Sequence, residues 1–160
     1  MRTLIIISFL FVASFSYAQD SIDIIIIKKS ERALYAIKND KIVKKYDIAL
    51  GKNPIGHKKK EGDKKTPEGY YFVDGKNLKS NFFLSLHTSY PNFHDKRVAS
   101  ITNIDPGEHI AIHGLPPIPL LSQYLFNGSD WTDGCIALNN SDMKELWDLT
   151  EEGTQIIIKP

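Results

Sequence analysis

The stretch Ile22 to Leu50, IDIIIIKKSERALYAIKNDKIVKKYDIAL, decides the fold class. Ile22 to Ile27 is a β-branched run, and such side chains suit a pleated surface better than a helix, where their χ1 freedom is lost. Arg32 to Ile37 follows, the polar pair Asn39-Asp40 supplies a turn, and Ile42 to Leu50 makes a third run. Apolar runs bounded by Asn/Asp turns predict strands, here an N-terminal meander or hairpin. Further along, Gly51 to Pro67 is polar and Lys-rich, and Gly51, Pro54, Gly56, Gly62 and Pro67 punctuate it, which predicts a long loop of the kind that often carries function. Gly69 to Val73 and Phe82 to Leu86 predict two more strands, parted by an Asp74-Gly75 turn. His109 to His113 predicts another, which Pro116, Pro117 and Pro119 terminate because proline donates no ladder hydrogen bond. Ser141 to Glu151 is the one helix candidate. Asn140 or Ser141 can cap it, Asp142 meets the helix dipole, and Met143, Leu146, Trp147 and Thr150 fall on one face. Gly153 ends that helix, and Thr154 to Lys159 closes the chain as a strand. Many short strands against one helix predict a mainly β domain, a sandwich with one short C-terminal helix and long loops.

Bulk properties bound the rest. A chain of 160 residues, 42% hydrophobic and 24% charged, suits one compact domain. Its first residues read differently: Arg2, an apolar run from Leu4 to Val12, and small or polar residues up to Ser16-Tyr17-Ala18. That is the pattern of a secretory signal peptide, with cleavage expected after Ala18. The run is short of the roughly 20 residues needed to span a bilayer. The expectation is therefore a signal peptide over residues 1–18, export to the periplasm or cell envelope, and no membrane span after cleavage. Removing it takes away Arg2 and no acidic residue, so 20 Lys+Arg against 19 Asp+Glu become formally balanced. A neutral chain has no bulk attraction for nucleic acid. The Lys58-Lys59-Lys60 and Lys64-Lys65 clusters read as a solvated loop.

The chain contains one cysteine, and the signal peptide carries it out of the cytosol. A single thiol cannot form a disulfide within the chain, so Cys135 is a candidate for use as a thiol. It sits in Asp130-Trp131-Thr132-Asp133-Gly134-Cys135-Ile136, where Gly134 permits a tight bend that can aim consecutive N–H groups at one point. A thiol reacts as thiolate and needs a base beside it. Of five histidines, His113 is best supported, ending the alternating Ile110-Ala111-Ile112 and released by Gly114, while His87 beside the Phe82 to Leu86 run is its rival. His57, His94 and His109 read as surface residues. No metal or other cofactor is implied, because His and Cys lack ligand spacing such as His-x-x-x-His.

Ile112-His113-Gly114, followed some twenty residues later by Thr132-Asp133-Gly134-Cys135-Ile136, resembles the signature of the L,D-transpeptidase catalytic domain. Lys65-Thr66-Pro67-Glu68-Gly69-Tyr70 is similar to that domain's Thr-Pro-x-Gly-aromatic segment. Leu86-His87-Thr88-Ser89-Tyr90-Pro91-Asn92 and Trp131 to Leu138 resemble the branch that includes enzymes cutting lipoprotein from peptidoglycan. The likeness covers the mature chain, giving a catalytic domain over residues 22–159. It implies Cys135 as nucleophile, His113 as general base, and the Gly114 carbonyl as the group orienting the imidazole. It also implies an oxyanion hole from the N–H groups of Asp133, Gly134 and Cys135, and substrate contacts from Thr132, His87, Tyr90 and Trp131. Two positions depart from the common signature: Asp133 stands where His is usual, and Ala137 where many members carry Arg or Asn. An inward-pointing Asp133 would disfavour the thiolate.

The implied chemistry is acyl transfer on peptidoglycan stem peptides through a Cys thioester, resolved by an amine or by water. An envelope lipoprotein is a further partner the branch allows. The reading from another class is a peptidoglycan-binding module that kept the fold and lost the chemistry.

Overall fold

Ile24–Lys28 forms strand β1, and burial alternates along it, with Ile25 and Ile27 wholly enclosed. In this computed structural model, which describes residues 21–117 and 128–160, that strand lies in the middle of a half-sheet. The expected signal peptide and Pro119 lie outside the described residues. A short 3-10 turn, Lys29–Glu31, leads to β2 (Ala33–Lys38), and the Asn39-Asp40 turn, with both residues at positive φ, leads to β3 (Lys41–Asp47). β3 is exposed along most of its length and carries Lys41, Lys44 and Lys45, charges that suit the edge of a sheet. The C-terminal strand Gln155–Lys159 inserts beside β1 in parallel, pairing Ile25 with Ile156 and Ile27 with Ile158.

β4 runs over Gly69–Ser80, through the expected Asp74-Gly75 turn. The register slips between Val73 and Gly75, and such a bulge bends a strand rather than reversing it. The first half of β4 consequently pairs with the C-terminal strand and the second half with β5 (Phe83–Thr88), so β4 carries the chain from one half-sheet to the other. β6 (Ala111–His113) and β7 (Ile136–Ala137) complete that second half. With the C-terminal strand as β8, the order is β3-β2-β1-β8-β4-β5-β6-β7. Backbone bridges Ala49–Ala137 and Gly51–Thr132 then tie the segment after β3 to the neighbourhood of β7, so the two ends of the order meet.

Among the described residues two α-helices accompany the strands. α2 (Asn140–Leu149) is the expected one, with Met143 and Leu146 fully buried, but its cap is Asn139, whose side chain accepts from the Asp142 N–H at 2.8 Å. Its last turn has no basic residue; Lys76 of β4 supplies the cation, donating to the Trp147 and Thr150 carbonyls and lying 3.8 Å from the Trp147 ring centroid. α1 (Phe93–Thr102) was not expected, because its sequence has no apolar stripe and only Asp95 and Ala99 are buried along it. It is held by polar contacts instead. Asn92 and Asp95 exchange hydrogen bonds in a capping box, and the Asp95 carboxylate also accepts from the Tyr71 hydroxyl and His57 Nε2. His57, read as a surface residue, is thus half-buried, and its Nδ1 accepts the Glu68 N–H at 3.0 Å. Among the described residues no helix is long and apolar enough to cross a membrane.

Candidate active site

The register of β6 and β7 aligns His113 with Ala137 and Ile112 with Ile136. Cys135 immediately precedes β7, two residues from His113's partner. With about 4.8 Å between strands and about 3.3 Å per residue, that offset sets the two Cα atoms on the order of 8 Å apart, within the combined reach of a thiol and an imidazole. The sulfur lies against the start of β6, where its hydrogen bond goes to the His109 carbonyl at 3.6 Å and not to the imidazole. His109 turns that carbonyl inward by adopting φ 62°, while its own side chain points to solvent and meets Glu108.

His113 is buried, and its Nδ1 is 2.7 Å from the Gly114 carbonyl. That contact assigns the Nδ1 proton and leaves Nε2 as an acceptor. Phe82 and Trp131 flank the ring, with centroids 4.6 and 5.8 Å away. Burial lowers the imidazole pKa below its ordinary value, partly opposed by the Gly114 carbonyl, so the ring is neutral at neutral pH. Gly114 has no room for a side chain: a Cβ there would come within 2.6 Å of Asn140 Oδ1 and 3.1 Å of the Phe82 carbonyl. The same Asn140 oxygen accepts the Leu115 N–H at 2.7 Å, fixing the backbone that carries the orienting carbonyl.

The turn before Cys135 is built from both flanks. Gly134 has φ 134°, and a Cβ on it would meet the Lys65 carbonyl at 2.8 Å. Thr132, expected to touch substrate, is buried; its hydroxyl donates to the Cys135 carbonyl at 2.7 Å and accepts the Gly134 N–H at 3.2 Å. It therefore serves the turn, and of the three expected oxyanion donors that of Gly134 is already engaged. Asp133 points outward, 76% exposed, and pairs with Lys52 at 3.2 Å. Burial pushes the Cys135 thiol up and Asp133 adds to the effect, while the facing Ala111 N–H and the Lys58 ammonium oppose both without reversing them. The resting pair is thus a thiol and a neutral imidazole.

The Lys-rich loop is less solvated than expected. Lys58 is 4% exposed and bonds the Lys60 carbonyl and Asp63, both at 3.0 Å. Asp63 gathers the N–H groups of Lys59, Lys60 and Lys65 as well. Burial raises its pKa, but these donors more than reverse that and bring it to about 2. The Thr66 hydroxyl accepts the Gly51 N–H, and its carbonyl, with Glu68, receives the buried Lys29 ammonium. Of the expected substrate contacts, Trp131 packs on His113, whereas His87 and Tyr90 line a separate groove of about 560 Å³ beside His109. Sequence reading missed Phe82, Asn140 and Lys58 as parts of the site. Only Asn140 carried a signal, and it was read as a helix cap.

With this geometry established, the likenesses to known proteins decide the family. A family model described as YkuD, L,D-transpeptidase catalytic domain, matches residues 22–158. The chain belongs to that family. No curated protein matches this chain. Among solved structures it is similar to the helical cell shape determining protein Pgp2 from Campylobacter jejuni, at 28% identity and a TM-score of 0.61, over 90% of this chain and 50% of that one. Bd1075 from Bdellovibrio bacteriovorus shares 24% identity with a TM-score of 0.60, over 89% of this chain and 49% of that one. An L,D-transpeptidase from Xylanimonas cellulosilytica shares 16% identity with a TM-score of 0.55, over 88% of this chain and 62% of that one. The chain spans about half the length of the Campylobacter and Bdellovibrio proteins. The mainly β architecture of the described residues is that of the L,D-transpeptidase family.

Proposed function

We propose that this L,D-transpeptidase-family domain is an exported cysteine acyltransferase acting on peptidoglycan stem peptides in the cell envelope. The observation that carries the reading is the buried His113, its Nδ1 tied to the Gly114 carbonyl on a strand paired with the one that follows Cys135. An imidazole held neutral with Nε2 unprotonated is what a general base requires. The thiol rotates from the His109 carbonyl toward Nε2 and gives up its proton as Sγ attacks the carbonyl of the L-configured centre of diaminopimelate. The N–H groups of Asp133 and Cys135 receive the developing oxyanion. The tetrahedral adduct collapses, the C–N bond breaks, and the leaving amine takes the proton from His113. A thioester remains on Cys135. An incoming amine then forms a new amide, cross-linking the stem or attaching a lipoprotein; water instead hydrolyses the thioester, so that the net outcome is a trimmed stem or a lipoprotein lost as the earlier leaving amine.

Intact-protein mass after incubation with a carbapenem, whose strained carbonyl acylates thiolates, tests the nucleophile. The expected result is one adduct at Cys135, absent from Cys135→Ala. Defined muropeptides, with products read by mass, then separate cross-linking from trimming. No adduct and no product, with cell-wall affinity retained, would leave a binding module of the same fold.

A further inference from the structure

The groove that holds His87 and Tyr90 is not used by the chemistry above. His109 is common to the two: it lines the groove, and its backbone carbonyl accepts from the Cys135 thiol at 3.6 Å. Its walls carry two aromatic rings that do little for the fold. Phe72 is 50% exposed on the outer face of β4, and Phe93 is 81% exposed at the first position of α1. Exposed aromatics beside a concave surface mark a binding site more often than a structural need. The charged groups lining the groove are Asp74, Glu108 and Lys96, with His87 and His109. Two carboxylates against one ammonium give no cationic field for a polyanion or for the carboxylates of a stem peptide. Neutral, polar ligands with flat apolar faces fit such a lining, because ring faces stack on C–H surfaces while carboxylates, imidazoles and hydroxyls bond the ligand's rim.

We infer that this groove binds the glycan strand, a chain of N-acetylated hexosamines, with Phe72 and Phe93 as stacking platforms. The inference rests on the proposed function, since a glycan held here brings its attached stem past His109 to Cys135. Chitotetraose, a β-linked N-acetylglucosamine tetramer without any peptide, is the direct probe. Titration of the 15N-labelled protein is expected to shift amides of β4, the start of α1 and residues near His109. Phe72→Ser and Phe93→Ser are each expected to weaken binding about tenfold, whereas Cys135→Ala binds as the unaltered protein does. Both rings are exposed, and an unchanged thermal transition verifies that the variants fold. In turnover, each variant should raise KM for a glycan-linked stem at least about fivefold relative to KM for the free stem peptide. No chitotetraose binding at millimolar concentration, or binding indifferent to both substitutions, overturns the inference, and so does an equal rise in KM for the two substrates. Turnover of free stem peptide without glycan binding would sink the groove and keep the acyltransferase. Glycan binding without turnover would do the reverse.

Discussion

The two half-sheets are made by different means. In β3-β2-β1-β8 the strands are regular over most of their length, burial alternates along β1 and β8, and Ile25, Ile27, Ile156 and Ile158 interlock across parallel neighbours. In the half that holds the candidate site, strands are short or bent, Phe83 and His109 sit at positive φ, and buried polar groups such as His113, Thr132, Lys58 and Asp63 do much of the holding. The first half is a scaffold stabilised by area. The second buries Leu86, Ile112 and Ile136 in the same core, and adds local irregularity that aims a few atoms through hydrogen bonds whose loss changes geometry before it unfolds the chain.

That contrast breaks most sharply at His113. His113→Gln should lower kcat/KM on stem peptides by about 10²–10⁴-fold, the usual worth of a positioned general base, while circular dichroism and the cooperative thermal transition persist. Activity within tenfold of the unaltered protein would remove the residue from the mechanism. The same imidazole sets the acid limb of the unaltered enzyme. Its pKa is lowered by burial, so activity should hold as pH falls through 6.5 and decline only below it. A pH profile whose acid limb lies above 6.5 contradicts the neutral pair.

The scaffold should answer in the opposite way. Ile25→Ala removes a wholly buried side chain from β1 and is expected to cost about 2–5 kcal/mol, read in denaturant melts. Carbapenem acylation of the protein that remains folded should stay within about twofold. If acylation falls in step with stability, the two halves are not separable and the contrast fails.

Asp63 tests a residue that belongs to both. It pairs with the buried Lys58 and collects three backbone donors in the loop that backs onto Gly134. Asp63→Asn is expected to cost about 1–3 kcal/mol, as charged hydrogen bonds do, and also to slow acylation. The pH dependence has a definite sign. The folded carboxyl titrates at about 2, below its ordinary 3.8, so its stabilising contribution is complete above 3.8 and is lost as pH falls through about 2. The gap between the unaltered protein and Asp63→Asn should therefore narrow from pH 4 to pH 2. A constant gap would mean that the charge contributes nothing.

What could be read from the sequence follows the same division. β1, β2, β8 and α2 were legible because their order depends on residue type and spacing, which a linear chain displays. So was the family, from His113-Gly114 and Thr132 to Ile136 in the right sequence. α1 was not legible, since its capping box and its Asp95 contacts with Tyr71 and His57 exist only after the chain has folded. Nor was the passage of β4 through Asp74-Gly75, because a bulge and a turn use the same residues. The burial of Lys58 could not be read from a run of lysines, for it depends on Asp63 five residues on.

The smallest effect comes from two adjacent asparagines, and it resolves scaffold from site at the level of single residues. Asn139 caps α2, and its side-chain hydrogen bonds stay within the helix start, to Ser141 and Asp142, so Asn139→Ala should cost about 1 kcal/mol of stability and leave turnover alone. Asn140 begins the same helix, but its side-chain oxygen accepts from Leu115, beside the carbonyl that orients His113. Asn140→Ala should therefore lose several-fold in kcat and shift the acid limb, because the Gly114 carbonyl that steadies the imidazole is then less firmly held. Asn140→Asp keeps the accepting oxygen and should recover most of that loss. If Asn139→Ala and Asn140→Ala instead change stability and kcat by the same proportions, the helix start acts on the site only through general loosening, and the aiming attributed to Asn140 disappears.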